Sequence, residues 1–394
     1  MCAFQPLQRY GMCSVHVYRL AVAAFLFLVT GLQAQADTEN ARTPSPLCSR
    51  HENDWTLTER HLWQQLCMTG VASGNDAPVP LPAELKYQKI SASFIKTLLT
   101  GSPYRERVAK TGLQLKAISI ADSLDLRYKK LPANIEIIDF SAKDLFMAFA
   151  QLEGSLILSN GDVGELELLH THVSGNLYLQ RIQFGHVSPC GSYGDKTVVA
   201  PYSQVDGKVS IIDTRAAGFF LENSQFSKGL DVLATNTISL DLSQTRLTGM
   251  LKLDGDALGW PPSCNPQENG SPIMTPLAMD GLTASSDVML TANDIRGPVA
   301  MPRVVVDGSL IASKTTFASN LDLSEAKIGR RLDLEPSDLN PWSSHSELSL
   351  RDATVGTLVA SDPDKAWPPR LDLHDFNFVN VLEKIRLRLR PTSR

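Results

Sequence analysis

The sequence predicts an all-β chain: a single-stranded parallel β-helix, or solenoid, of about 21 residues per turn with a small helical cap at its N-terminal end. Three observations predict it. Apolar-x-apolar pairs recur every ten or eleven residues. Within each unit the alternation holds for three positions, breaks and restarts, which is the signature of short strands separated by corners. No connection between units has room for a crossover helix.

The elements follow in chain order. Arg19 precedes the apolar run Leu20 to Leu32, which is too short to span a bilayer comfortably and fits a signal-peptide core. Ala34-Gln35-Ala36 supplies the small-x-small cleavage pattern, so residues 1–36 are expected to be a signal peptide, with Met12 as an alternative start and an uncleaved anchor as the competing reading. The expected destination is the periplasm or the exterior of a bacterial cell. Without Arg9 and Arg19 the mature part carries 35 basic and 42 acidic residues. That balance argues against a nucleic-acid partner, and no other segment is apolar enough for a membrane span.

Residues 37–49 read as a flexible arm and 50–108 as a helical cap. Thr56-x-x-Glu59 is a capping box ahead of Leu57, Leu62, Trp63 and Leu66, and Gly70 stops that helix. A second helix is expected from Ser91 to Thr100, with Phe94, Ile95, Leu98 and Leu99 apolar. Four cysteines remain after the leader, and they allow three connectivities. Position favours disulfides Cys48–Cys67 and Cys190–Cys264, although Cys67 on an apolar helix face also fits a buried free thiol.

The solenoid is expected over 109–380. Its pairs begin at Leu113, Leu124, Ile135, Leu145, Leu156, Leu166 and Leu177, then at Val209, Phe219, Leu230, Leu240 and Leu251, then at Val288, Val299, Leu310, Leu321 and Leu332, and finally at Leu348, Leu358 and Leu371. Two units make a turn, so carboxylates and aromatics two units apart share a side: Asp125, Phe146 and Glu167 on one, Glu136, Ile157 and Tyr178 on another. One turn cannot bury its own apolar face, whereas stacked turns bury it continuously. With strands about 4.8 Å apart the rod should be roughly 50 Å long. Gly164, Gly175, Gly207, Gly249, Gly297, Gly308, Gly329 and Gly356 are expected to mark corners through unusual backbone angles. Loops interrupt the rod at 185–197, 259–276, 340–346 and 361–369. Residues 381–394 form a basic tail or terminal strand, where Lys384-Ile-Arg386-Leu-Arg388-Leu-Arg390 alternates apolar and basic residues. Charge there protects an edge, or gives weak contact with a membrane surface.

The spacing of Leu323 to Ile328 and of Leu350 to Val355, with Ala326 or Ala353 two before the second apolar residue, resembles the pentapeptide-repeat solenoid. The segment Ile90-Ser-Ala-Ser-Phe94-Ile-x-x-Leu98-Leu99, the leucine-rich turns and the ending Trp367-Pro-Pro-Arg-Leu-Asp-Leu-His-Asp-Phe376 are similar to a bacterial pentapeptide-repeat-like β-solenoid family often labelled "membrane-associated oxidoreductase". The likeness covers about residues 90–380, and against that family the chain is a C-terminally short member. Its turns are slightly longer than those of pentapeptide repeats. No Gly-x-Gly-x-x-Gly, Cys-x-x-Cys or Walker loop accompanies the oxidoreductase label, so no cofactor is expected.

Candidate site residues are few, and no catalytic set stands out. His170 and His172, placed on one outward strand face, and His186 in the next loop are weak metal candidates. Trp260, Trp342 and Trp367 lie in expected loops, where an indole either stacks on a sugar or pins the loop to the rod. Phe146, Ile157, Tyr178 and Phe220 could form a partner surface. The expected function is a non-catalytic exported scaffold for a protein or a cell-wall polysaccharide. A polysaccharide-active β-helix enzyme and a truncated family member of little function are the alternatives.

Overall fold

A computed structural model describes residues 46–79, 85–185, 197–259, 275–334, 342, 344–360 and 367–383. Residues 1–45, which include the expected signal peptide, lie outside this set, as do His186, Cys190, Trp260, Cys264 and residues 384–394. The described chain is a parallel β-solenoid of about ten turns. Two ladders run its length. One joins Leu113, Ile135, Leu156, Leu177, Val209, Leu230, Leu251, Val288, Leu310, Leu332 and Leu358. The other joins Leu124, Leu145, Leu166, Val198, Phe219, Leu240, Leu277, Val299, Leu321, Leu348 and Leu371. Leu156, Leu177, Leu321 and Leu350 are all buried. Both ladders are made of the repeat's first apolar residues, so burial of that stripe sets the register.

The turn length is not uniform. After a first turn of 22 residues, Leu113 to Ile135, the early turns take 21, as in Ile135 to Leu156 to Leu177. Later turns take 22, as in Val288 to Leu310 to Leu332, because every unit there is eleven residues long. The average is about 22, slightly above the expected 21. The interruptions around 185–197 and 259–276 leave the register intact: Val198 still pairs with Leu166, and Leu277 with Leu240.

The corners correct the glycine expectation. Two bends of each turn are made by residues with φ near +55°, and almost all of them carry side chains. One column is Ala117, Asp139, Asn160, Arg181, Asp213 and Ala234; the other is Tyr128, Phe149, His170, Tyr202, Asn223 and Gln244. Inter-turn hydrogen bonds hold these bends, as where Phe149 N–H donates to the Leu169 carbonyl. Of the glycines expected to bend the chain, Gly164, Gly175, Gly207, Gly249, Gly308, Gly329 and Gly356 have no left-handed φ. They are glycines because stacked backbones touch there: a Cβ on Gly164 would lie 1.9 Å from the Lys143 carbonyl oxygen, and one on Gly356 2.4 Å from that of Gly329.

Inside the first bend column, the residue after each bend points inward and the central turns make it polar. Thr214, Thr235, Asp256, Asn293 and Thr315 are all buried. Thr235 Oγ1 donates to the Ile211 carbonyl, Thr235 N–H donates to Asp256, and Asp256 N–H donates to Asn293 Oδ1 at 2.9 Å. This spine satisfies its own hydrogen bonds, as burial requires.

The cap holds three helices, α1 (Leu57–Thr69), α2 (Ala92–Thr100) and α3 (Tyr104–Thr111). The capping box at Thr56 and Glu59 forms as read, and Gly70 adopts φ +81°. The buried Glu59 carboxylate also accepts from Ser91 N–H and Oγ, tying the start of α2 to the start of α1. Helix α3 was not expected, since only Tyr104 and Val108 of its eight residues are buried. Nor were the strands β1 (Val71–Ser73) and β2 (Gln88–Ile90), which pair in parallel with β3 (Leu113–Ile120) and extend the solenoid into the cap. Three-residue strands show too little alternation to be read from sequence. Cys48 and Cys67 are bonded, with Cα atoms 5.3 Å apart.

Trp342 departs from its expected loop position. It forms a parallel bridge with Phe317, is buried, and stacks on that ring at 5.0 Å. It therefore continues the core column of Leu258, Ile295 and Phe317. Leu371 and Phe378 of the last described strands, Arg370–Asp372 and Asn377–Glu383, are exposed, as is Leu373 between them.

Candidate functional site

The second bend column produces the most distinctive surface feature. Tyr128, Phe149, His170 and Tyr202 occupy successive left-handed bends, at φ 59°, 58°, 52° and 57°. A left-handed bend aims the side chain outward, and turn-to-turn stacking puts like positions one strand spacing apart. The rings therefore stack. Their centroids are 5.0, 5.0 and 4.8 Å apart, with interplanar angles of 4°, 20° and 12°. Each ring faces its neighbour, so the ladder presents ring edges and tyrosine hydroxyls to solvent. Tyr128, at the end of the stack, is 73% exposed, and Tyr202 is 53% exposed. Parallel offset rings attract through dispersion and quadrupole alignment. Bulky residues with positive φ are uncommon, and four in one column need that compensation.

The histidine candidates separate. His170 sits at the bend, with its ring between Phe149 and Tyr202. His172 lies in the strand His172–Val173, with Nε2 2.9 Å from Asp206 Oδ2. Between them Thr171 turns inward and donates to the Met147 carbonyl. The bend therefore removes the shared strand face expected for the two imidazoles. Gln204 first, and then His172, hold the Asp206 carboxyl below its ordinary value. Among the described residues no group of three or more His, Cys, Asp or Glu is placed to hold a metal ion.

The aromatic patch expected from Phe146, Ile157, Tyr178 and Phe220 is split between two sides of the turn. Phe146 stands between Asp125 and Glu167, and Phe220 between Val199 and Asp241. Ile157 and Tyr178 stand in the other column, beside Glu136 and Ser210. Phe146 is half-buried beneath the Arg127 guanidinium, which lies 5.3 Å over its ring and pairs with Asp125 at 2.9 Å. That hydrogen-bonded pairing holds the Asp125 carboxyl down at about 2. The buried Trp342 has no free face, and Trp367 is half-buried against the core.

Sequence reasoning named His170 but not its ladder. The signal was present: Tyr128, Phe149, His170 and Tyr202 each stand four residues after Leu124, Leu145, Leu166 and Val198. The apolar pairs alone do not reveal it, because the period of the rings lies in the bends between them. Comparison with known proteins returns no matching family model, no matching curated protein and no matching solved structure. The fold itself defines the class of protein, a parallel β-solenoid with an N-terminal cap and an aromatic ladder on one edge.

Proposed function

We propose that the chain is a non-catalytic interaction scaffold of the bacterial envelope, exported by residues 1–36, which docks a protein partner along the aromatic ladder. The carrying observation is the ladder itself: three large rings and an imidazole, exposed and contiguous on one edge of a rigid support. Exposed aromatic surface of this kind is what protein interfaces use as anchors, because tyrosine gives large contact area at little entropic cost. The Cys48–Cys67 bond supports an oxidising compartment. The left-handed bends and the inward apolar pairs are consistent with the pentapeptide-repeat-like family, to which this reading assigns the chain.

Photo-crosslinking in intact cells tests the docking surface. With a photoreactive residue replacing Tyr128 or Tyr202, a discrete protein adduct is expected. It should be absent when the label replaces Lys314 in the other bend column, and weakened by Phe149→Ala. Adducts of equal yield at all three positions, or at none, would overturn this reading. Release of reducing ends from any polysaccharide by the purified chain would replace the scaffold reading with an enzymatic one.

A further inference from the structure

The first bend column lines an open cleft of about 490 Å³, within the size range of small-molecule sites. Its floor is the bends of the first turns, Asp139, Asn160 and Arg181, together with Asp162 and Gln183 two residues further on. The cap supplies the other wall, where Lys86 and Tyr87 lead into β2. The Tyr87 side chain, and then Asp162 and Asp139, hold the Lys86 ammonium above its ordinary value. Several other outward charges are paired within the molecule: Arg127 with Asp125 at 2.9 Å, Lys208 with Asp231 at 2.5 Å, Arg351 with Asp372 at 2.8 Å. By contrast, the side chains of Asp139, Asn160, Asp162 and Arg181 make no hydrogen bond or ion pair among the described residues.

We propose that this cleft binds a stretch of uncharged polysaccharide lying along the solenoid axis. Four features select that chemistry. Two carboxylates and two cationic groups leave the lining with no net charge, so it favours neither an anion nor a cation. The lining is mostly polar, and its apolar part, chiefly Tyr87 and Ala117, is too small to hold a lipid chain. It does offer acceptors, donors and amides close together, which suits hydroxyls that donate and accept at once. Hydrogen-bonding groups recur from turn to turn at about 4.8 Å through Asp139, Asn160 and Arg181, so an extended chain of hydroxyls finds a partner at each step. The site stands apart from the aromatic ladder, so either can fail alone.

Affinity electrophoresis of the full chain tests it, with gels containing dextran, xylan, glucomannan, polygalacturonate or chitosan. At least one neutral polymer should retard the protein. Arg181→Ala and Asp162→Ala should each weaken that retardation at least tenfold, and Phe149→Ala should leave it unchanged. Alanine is compatible with the bend at 181, because Ala117 and Ala234 hold the same conformation in the same column. Gln183→Ala, outside the bend, gives a second readout should Arg181→Ala fail to fold. Retardation by polygalacturonate or chitosan alone, by no polymer, or to the same extent in all variants would overturn the proposal. Hydrolysis of the bound polymer, lost in Asp162→Asn, would support the site while overturning the non-catalytic reading.

Discussion

Two bends of the same turn share one backbone conformation and carry opposite side chains. Ala117, Asp139, Asn160 and Arg181 have φ between 52° and 55°, and Tyr128, Phe149, His170 and Tyr202 have φ between 52° and 59°. The first column leaves its polar groups apart beside a cleft; the second closes its rings into a stack. Folding constrains the inward neighbours of these bends far more than the bends themselves. The bends are where this solenoid can change chemistry without changing its core, and binding is read from them for that reason.

The sharpest contrast sets these tolerant bends against the crowded glycines. Gly164→Ala pushes a Cβ to 1.9 Å from a backbone oxygen that cannot move without its whole turn. It is expected to cost roughly 3 kcal/mol or more, through overpacking. Gly255→Ala, at φ +70° with nothing within 4 Å, should cost only about 1 kcal/mol. Chemical denaturation of both variants checks this, and equal effects would break the distinction between glycine for space and glycine for conformation.

Asp256, next along from Gly255, separates the inside of a bend from its outside. Burial pushes its carboxyl up to about 8 from 3.8, against the opposing pull of N–H donation from Thr235 and Asp254. The folded form therefore holds a proton that the unfolded chain has released by neutral pH. The stability this gives is complete below about pH 4 and is lost as pH rises through about 8, a change on the order of a few kcal/mol. Thermal unfolding between pH 4 and 9 should show Tm falling with rising pH, with a shallower fall in Asp256→Asn. A Tm that rises over that range in the wild type and not in the variant would contradict the assignment.

Much of this was legible in the sequence. The first apolar residues from Leu113 to Leu358 took their expected ladders, because burial of a narrow stripe leaves a period-two strand no other register, and Leu371 keeps the register of Leu348 although it is exposed. The capping box at Thr56 was legible for an equally local reason. The placements of Trp342 and of the bend glycines went wrong together. Trp-Pro neighbours suggest loops, and glycine suggests unusual φ, but both positions are decided by the turn stacked above or below. The cleft was hidden because it joins Lys86 to residues fifty and more positions away.

The comparison predicts two smaller effects at a single bend. Phe149 stacks on two rings, at 5.0 Å on either side, so Phe149→Ala should cost about 1–3 kcal/mol, counting each aromatic pair at about 0.5–1.5. Phe149→Gly removes the same ring but also relieves a left-handed conformation that costs a residue with a Cβ about 1–2 kcal/mol. Glycine gives part of this back through the greater freedom of the unfolded chain. The glycine variant should therefore be the more stable of the two by about 0.5–1 kcal/mol, the reverse of the usual order in a strand. Urea unfolding of the pair measures the difference directly. If alanine proves the more stable, the bend carries no conformational cost for the rings to offset, and the ladder must be explained by what binds it rather than by what holds the turn.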